Sequence, residues 1–298
     1  MIELKNIFFP TDFSDNANQA LRYAALFADK FASELTLFHV IALFQDDPNN
    51  PERHFPNLRD FYDTMEQHAL TNMSQVDMKL DKLQTNIVTA RGISPAEEIV
   101  DYAGSNGADL IVMGTHGRSA IGHFLLGSVA EKVVRHAKSP VLTISHQEEK
   151  MYELQEIKNI LVPVDFSEHS KAALKFAGKL ATRFDASLKF LHVVDQRVHP
   201  AYYVMGEQSI FNIFPDLMDK SMSFLKEFVK GEIPGNVTTI FFVREGNPHS
   251  EIVRFSKKQG TDLILMSTHG LSGLEKLLIG STTEKVVRKS DVPVLTVK

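Results

Sequence analysis

Two stretches of this chain carry residues spaced for phosphate chemistry. The first is Gly114-Thr115-His116-Gly117, then nine intervening residues, then Gly127-Ser128. The second is Ser267-Thr268-His269-Gly270, nine residues, Gly280-Ser281. Each follows an apolar run that reads as a strand, Asp109-Leu-Ile-Val-Met113 and Asp262-Leu-Ile-Leu-Met266. A strand that opens through glycines into a helix presents backbone N–H groups to anionic oxygens. Gly117 and Gly127 allow close backbone approach, free of a Cβ. Ser128 falls at a helix start, where the dipole favours an anion and the hydroxyl adds a donor. The competing reading is that these glycines only make turns. Their recurrence at equal spacing favours the phosphate reading, although common descent makes the copies partly dependent.

Other residues could join this chemistry. Asp12 and Asp165 stand just past a predicted strand. A carboxylate there can accept from ribose hydroxyls, help hold a metal bound to phosphates, or cap its own loop, and these roles can coexist. His39 and His192 end the second strand of each copy and read as hydrogen-bonded structural residues ahead of acid–base catalysts. His116 and His269 lie inside the glycine loops, where contact with phosphate and a purely local role both stay open. Gly122-His-Phe-Leu-Leu-Gly127-Ser128 resembles a Walker A spacing but lacks its lysine, and no GxGxxG follows the first strand. No HExxH or comparable ligand spacing appears, and no catalytic carboxylate pair or Ser/His/Asp arrangement is evident. The candidate site therefore has no assigned catalytic residue and no protein-caged metal.

The elements that must position these residues recur. The offset is 153 from Asp12 to Asp165, His39 to His192, Gly127 to Gly280 and Pro140 to Pro293. A period this long is a duplicated domain rather than a solenoid. The expected domains are 1–146 and 157–298, joined by a polar linker, 147–156. In the first copy, strands are expected at Asn6 to Pro10, Glu34 to Val40, Asn86 to Ala90, Asp109 to Met113 and Pro140 to Ile144. Helices alternate with them. Ser14 is the N-cap of the first, Phe61 to Leu83 form the second, Ser94-Pro95-Ala96-Glu97 starts the third as a capping box, and Val129 to Ala137 form the fourth. Strands separated by helices imply right-handed crossovers and a parallel sheet. Ligands of such sheets sit beyond the carboxyl ends of the strands, where Asp12, His39-Val40 and Gly114 all fall. The segments after strand two, 43–56 and 198–214, differ between copies. The second is rich in apolar residues and reads as a lid, a partner or dimer contact, or a cover over its own sheet edge.

Composition narrows the class. A chain of 298 residues suits two domains, with 43% hydrophobic and 23% charged residues. A net charge of −5 argues against nucleic acid as main partner. No apolar run is long enough to span a membrane, and the opening Met-Ile-Glu-Leu-Lys-Asn-Ile-Phe-Phe reads as a first strand rather than a signal peptide. The chain has no cysteine, which excludes thiolate chemistry and disulfides and fits a cytoplasmic setting.

Taken together, Pro10-Thr11-Asp12-Phe13-Ser14, Pro163-Val164-Asp165-Phe166-Ser167, the His-Val pairs and the pattern G-x2-G-x9-G-[S/T] resemble the universal stress proteins in their tandem two-domain form. The resemblance implies two Rossmann-like α/β domains, each a five-stranded parallel sheet of order 3-2-1-4-5 with helices on both faces. It implies an adenine nucleotide, ATP or AMP, with Mg2+ where ATP is bound. By analogy Asp12, with Thr11 and Ser14 beside it, would meet ribose. The backbone at Val40 would read adenine. Met113, Gly114, His116, Gly117, Gly127, Ser128 and Val129 would surround ribose and phosphates. The second set is Asp165, Ser167, Val193, Met266, Ser267, His269, Gly270, Gly280, Ser281 and Thr282. Ser267 replaces Gly114, so a Cβ there either crowds the phosphates, if positive φ is required, or adds a hydrogen bond. Site one is accordingly expected to be the better occupied. The resemblance also implies an intrachain pseudo-dimer through Val141 to Ile144 and Val294 to Val297, and leaves room for a homodimer and a protein partner. The function expected is a nucleotide-binding stress-response or signalling module, not an enzyme. The rivals are a slow ATPase or phosphoryl- or adenylyl-transferase, and an interaction protein with vestigial sites.

Overall fold

The computed structural model describes residues 3–43, 58–78, 80, 82–116, 126–145, 156–195, 209–270 and 279–298. Its contacts divide into two compact units, Glu3–Val141 and Leu142–Lys298. The first repeat runs β1 (Asn6–Pro10), α1 (Asp15–Phe31), β2 (Glu34–Ala42), α2 (Leu58–Asp77), β3 (Thr85–Gly92), α3 (Pro95–Ser105), β4 (Leu110–Gly114), α4 (Ser128–His136) and β5 (Val141–Ile144). The second runs β6 (Asn159–Pro163), α5 (Glu168–Phe184), β7 (Ser187–Asp195), α6 (Ile210–Ile213), α7 (Asp216–Val229), β8 (Thr239–Gly246), α8 (Pro248–Lys258), β9 (Leu263–Ser267), α9 (Ser281–Lys289) and β10 (Val294–Val297). The strand order is β3-β2-β1-β4-β5 in the first repeat and β8-β7-β6-β9-β10 in the second. The pairs β1–β2, β2–β3 and β1–β4 are parallel, as are β6–β7, β7–β8, β6–β9 and β9–β10.

The elements follow from local chemistry. Ser14 sits extended at φ −73° and accepts from the Ala17 N–H at 3.2 Å, which starts α1. Ser167 repeats this for α5 by accepting from the Ser170 N–H at 3.1 Å. Ala17, Ala20, Ala24, Phe27 and Ala28 lie buried along one face of α1, so small side chains bring the helix close to the sheet. Leu110, Ile111, Val112 and Met113 are all buried, as expected for a strand covered on both faces. The first strand begins against a carboxylate in each copy. Asp109 Oδ2 accepts from the Lys5 and Asn6 N–H groups, and Asp262 Oδ2 from those of Lys158 and Asn159.

Several boundaries differ from the sequence expectation. The second helix ends at Asp77 rather than Leu83, because the Leu80 N–H turns back to Asp77 O and Thr85 Oγ1 donates to the Asp77 carboxylate. β2 and β3 are longer than expected because their pairing continues to Ala42↔Gly92. At Ser94 no capping box forms: Glu97 and Glu98 N–H groups donate to Ser94 O, and the serine side chain makes no cap bond. The expected linker lies, over 147–155, outside the described residues, as do 44–56 and 198–208 of the two variable segments. The described end of the second segment forms α6. Ser209 Oγ and the Ile210 N–H donate to Glu245 Oε2 at 2.9 and 3.0 Å, tying it to its own edge strand β8. Within the unit Leu142–Lys298, Thr143 Oγ1 donates to Val294 O at 3.1 Å and Ser145 Oγ to Ser290 O at 2.8 Å. No described helix is long and apolar enough to cross a membrane.

Candidate functional site

In the first repeat the carboxyl ends of β1, β2 and β4 open onto a cavity of about 350 Å3. Thr11, Asp12, Val40, Met113, Gly114, His116, Gly127, Ser128 and Val129 line it, so the fold brings nine of the sequence-predicted residues to one place. Ser14 instead caps α1, and Gly117 lies outside the described residues. Phe38, Pro95 and Ile99 also line the cavity and were not foreseen. Their signal was weak: Pro95 marks a helix start, and Ile99 is one apolar residue on a helix face, so neither type points to a ligand. The lining divides by chemistry into apolar residues, among them Phe38, Val40, Pro95 and Ile99, and polar ones, Asp12, His116 and the start of α4. That division suits a flat aromatic ring joined to a charged, hydroxylated tail.

The polar part of the lining is built from backbone. The Gly127 N–H donates to Thr115 O at 2.7 Å, and a Cβ on Gly127 would stand 2.9 Å from that oxygen. The first intrahelical bond of α4 is from the Glu131 N–H to Gly127 O. The N–H groups of Ser128, Val129 and Ala130 therefore precede the helix's own ladder and face an anion-favouring dipole end. α9 repeats the pattern, with the Gly280 N–H donating to Thr268 O at 2.7 Å and the Glu284 N–H to Gly280 O. Ser281 and Thr282 start that helix.

The turn after the first strand is held by its own side chains. Asp12 Oδ1 accepts from the Ser14 N–H at 3.0 Å, and Thr11 Oγ1 from the Phe13 N–H at 3.0 Å. Phe13 takes a left-handed backbone at φ 63°, and Phe166 does so at φ 65°. Each ring lies beside the histidine of the adjacent strand, at 4.6 Å for Phe13–His39 and 4.3 Å for Phe166–His192. The Nδ1 atoms of His39 and His192 face Thr11 O at 2.7 Å and Val164 O at 2.9 Å. A carbonyl only accepts, so both histidines carry their proton on Nδ1. This is the structural reading of these two residues. Burial pushes the His192 pKa down, partly offset by its bond to Val164.

The second repeat places Asp165, Ser167, Val193, Met266, Ser267, His269, Gly270, Gly280, Ser281 and Thr282 at corresponding positions of its own elements. Of the two alternatives at Ser267, crowding through positive φ or an added hydrogen bond, the structure has the second. Ser267 is not among the positive-φ residues, and its hydroxyl donates to His269 O at 2.7 Å. In the first repeat the equivalent carbonyl, His116 O, accepts from Asn16 Nδ2 at 3.0 Å. A Cβ on Gly114 would stand 2.8 Å from that nitrogen, so the side-chain direction at this position leads toward α1. His169 replaces Asn16 in the second repeat, with its ring 5.4 Å from that of His269. Asn16 Nδ2 in the first repeat and Ser267 Oγ in the second are thus two ways of holding one loop carbonyl. Burial first, and then His169 and Lys298, lower the His269 pKa. Among the described residues no group of three or more His, Asp or Glu could hold a metal ion.

A doubly repeated parallel α/β fold with helix starts at its carboxyl edge defines the fold class of this chain. The sequence model of the universal stress protein family matches residues 3–145 and 156–298. The chain belongs to that family. One universal stress protein of Methanocaldococcus jannaschii is 38% identical over 141 residues, which cover 47% of this chain and 82% of that protein. A second from the same organism is 33% identical over 159 residues, covering 47% and 94%. The crystal structure of a universal stress protein from Archaeoglobus fulgidus covers 100% of this chain and 99% of its own, at TM-score 0.70 and 23% identity. That likeness supports the tandem fold.

Proposed function

We propose that the first repeat binds an adenine nucleotide, ATP or AMP, and that occupancy makes the chain a stress-response or signalling module. The observation that carries this is the cavity at the ends of β1, β2 and β4, lined by apolar side chains together with a carboxylate and a helix start. In this reading Phe38, Val40 and Ile99 hold the base, and Asp12 accepts from ribose hydroxyls. The N–H groups that open α4, with the Ser128 hydroxyl, receive phosphate. His116 and Gly114 shape the loop between them. Mg2+, where ATP is bound, would be held by phosphate oxygens, with Asp12 the carboxylate that lines the cavity.

The reading is of a holder of nucleotide rather than a catalyst. The loop from Gly117 to Ser128 lacks the lysine of a Walker A loop, its one Lys or Arg being Arg118, and no catalytic residue is assigned to it. Release of small molecules from freshly purified, denatured protein, identified by mass spectrometry with stoichiometry per chain, tests the proposal. At least one adenine nucleotide per chain is expected. Absence of bound nucleotide, together with no calorimetric binding at millimolar ATP or AMP, would overturn it. Multiple turnovers per minute that disappear with Asp12→Ala would favour the enzyme instead.

A further inference from the structure

The two repeats differ most around the aspartate after their first strands. Asp165 Oδ1 accepts three hydrogen bonds: from the Ser167 N–H at 3.1 Å, Ser167 Oγ at 2.6 Å and Ser170 Oγ at 2.5 Å. Ser170 Oγ also accepts from the Asp165 N–H at 3.3 Å, so one side chain clasps this residue at both backbone and carboxylate. Ser170 is 3% exposed, while Asp165 itself is half-buried. The other carboxylate oxygen is turned against the glycine loop, where a Cβ on Gly270 would overlap Asp165 Oδ2. The position of Ser170 in the first repeat is Ala17, which borders the cavity and has no hydroxyl to offer Asp12.

We infer that Ser170 latches Asp165 and thereby decides that the second site takes nucleotide ribose more weakly than the first. This rests on the nucleotide-binding reading above. A carboxylate oxygen has two lone pairs in its plane, and three donors already compete for them. Oδ2 is packed against the glycine loop, so a ribose hydroxyl that bonds to Oδ1 must displace one of these donors. Hydrogen bonds to charged groups contribute about 1.5–3 kcal/mol, so the displaced bond corresponds to roughly 10- to 100-fold in affinity. Ser170 touches no ligand in this account; it is a positioning residue that acts through Asp165. Ser267, the more visible departure in the sequence, does not set the difference, because its hydroxyl is spent on His269 O.

The test uses the full chain and calorimetry with AMP. With the two sites fitted separately in the otherwise native chain, Ser170→Ala should raise second-site affinity about tenfold and leave the first site unchanged. Ser170→Thr, which keeps a hydroxyl, should leave it low. In the otherwise native chain, Ala17→Ser should weaken first-site binding by a similar factor. The gain from Ser170→Ala should vanish with 2′,3′-dideoxyadenosine monophosphate, which lacks the hydroxyls that the released carboxylate would accept from. A general loosening of the repeat would raise affinity for both ligands or for neither. Unchanged second-site affinity in Ser170→Ala, alongside intact first-site binding, overturns the latch and leaves the nucleotide reading standing. Absence of binding in the native chain overturns both.

Discussion

The two repeats have the same strand order and the same loop spacing, yet they hold their loops and aspartates by different bonds. In the first, Asn16 holds the His116 carbonyl and Asp12 borders a cavity. In the second, Ser267 holds the His269 carbonyl and Asp165 is clasped by two serines. After duplication, the backbone geometry of each loop is preserved by whichever side chain reaches the carbonyl. The carboxylate has no such substitute: a new neighbouring hydroxyl changes what it can still accept. Framework positions can therefore drift in compensated pairs, while a single methyl-to-hydroxyl difference beside the carboxylate separates the sites.

The sharpest way to break this comparison is at the aspartates. Asp12→Ala should lower AMP affinity of the native chain by roughly 10- to 100-fold in calorimetry, the range for a hydrogen bond to a charged group. Asp165→Ala should change it little, and equal losses from both would make the two sites equivalent. Next comes the loop carbonyl. Gly114→Ser alone should destabilise the first repeat by about 1–3 kcal/mol, because its Cβ meets Asn16. Combined with Asn16→His, it should recover part of that loss. Urea unfolding of the single and double variants gives the coupling, expected at about 0.5–3 kcal/mol in the restoring direction; strict additivity would deny that the pairs are interchangeable. Ser267→Ala removes only the hydroxyl to His269 O and should cost the second repeat about 1 kcal/mol.

The smallest effect expected is in pH dependence. Burial lowers the pKa of His192 and His269. A histidine with a depressed folded-state pKa takes its proton more readily when unfolded. Its stabilising contribution is therefore present above about pH 6.5 and is lost as pH falls through the folded-state value. Urea midpoints of the second repeat should decline on acidification from pH 7. The groups facing His269 are His169 and Lys298, and His169→Asn should make the decline shallower. A midpoint that rises on acidification would contradict the sign.

Much of the fold was legible because its signals are local. Ser14 and Ser167 cap helices, the runs ending at Met113 and Met266 are buried strands, and the 153-residue offset repeats every one of them. Nine cavity-lining residues were legible because strand ends and glycines mark the rim of such a sheet. Phe38, Pro95 and Ile99 were not, since an apolar cavity wall and an apolar core have the same residue types. The capping box at Ser94 failed because the backbone carbonyl, not the side chain, takes the bonds there.

The sequence by itself determined the duplication, the alternation of strand and helix, the family, and the rim on which the candidate residues meet. Periodicity, capping and spacing are properties of neighbouring residues, and the chain displays them directly. Only the tertiary structure decided what Ser267 and Ser170 do. Ser267 reaches a carbonyl two residues on and Ser170 a carboxylate five residues back, and the fold of each turn decides which atom the hydroxyl meets. One hydroxyl repairs a loop and the other occupies a carboxylate, a difference written in side-chain geometry rather than in residue type.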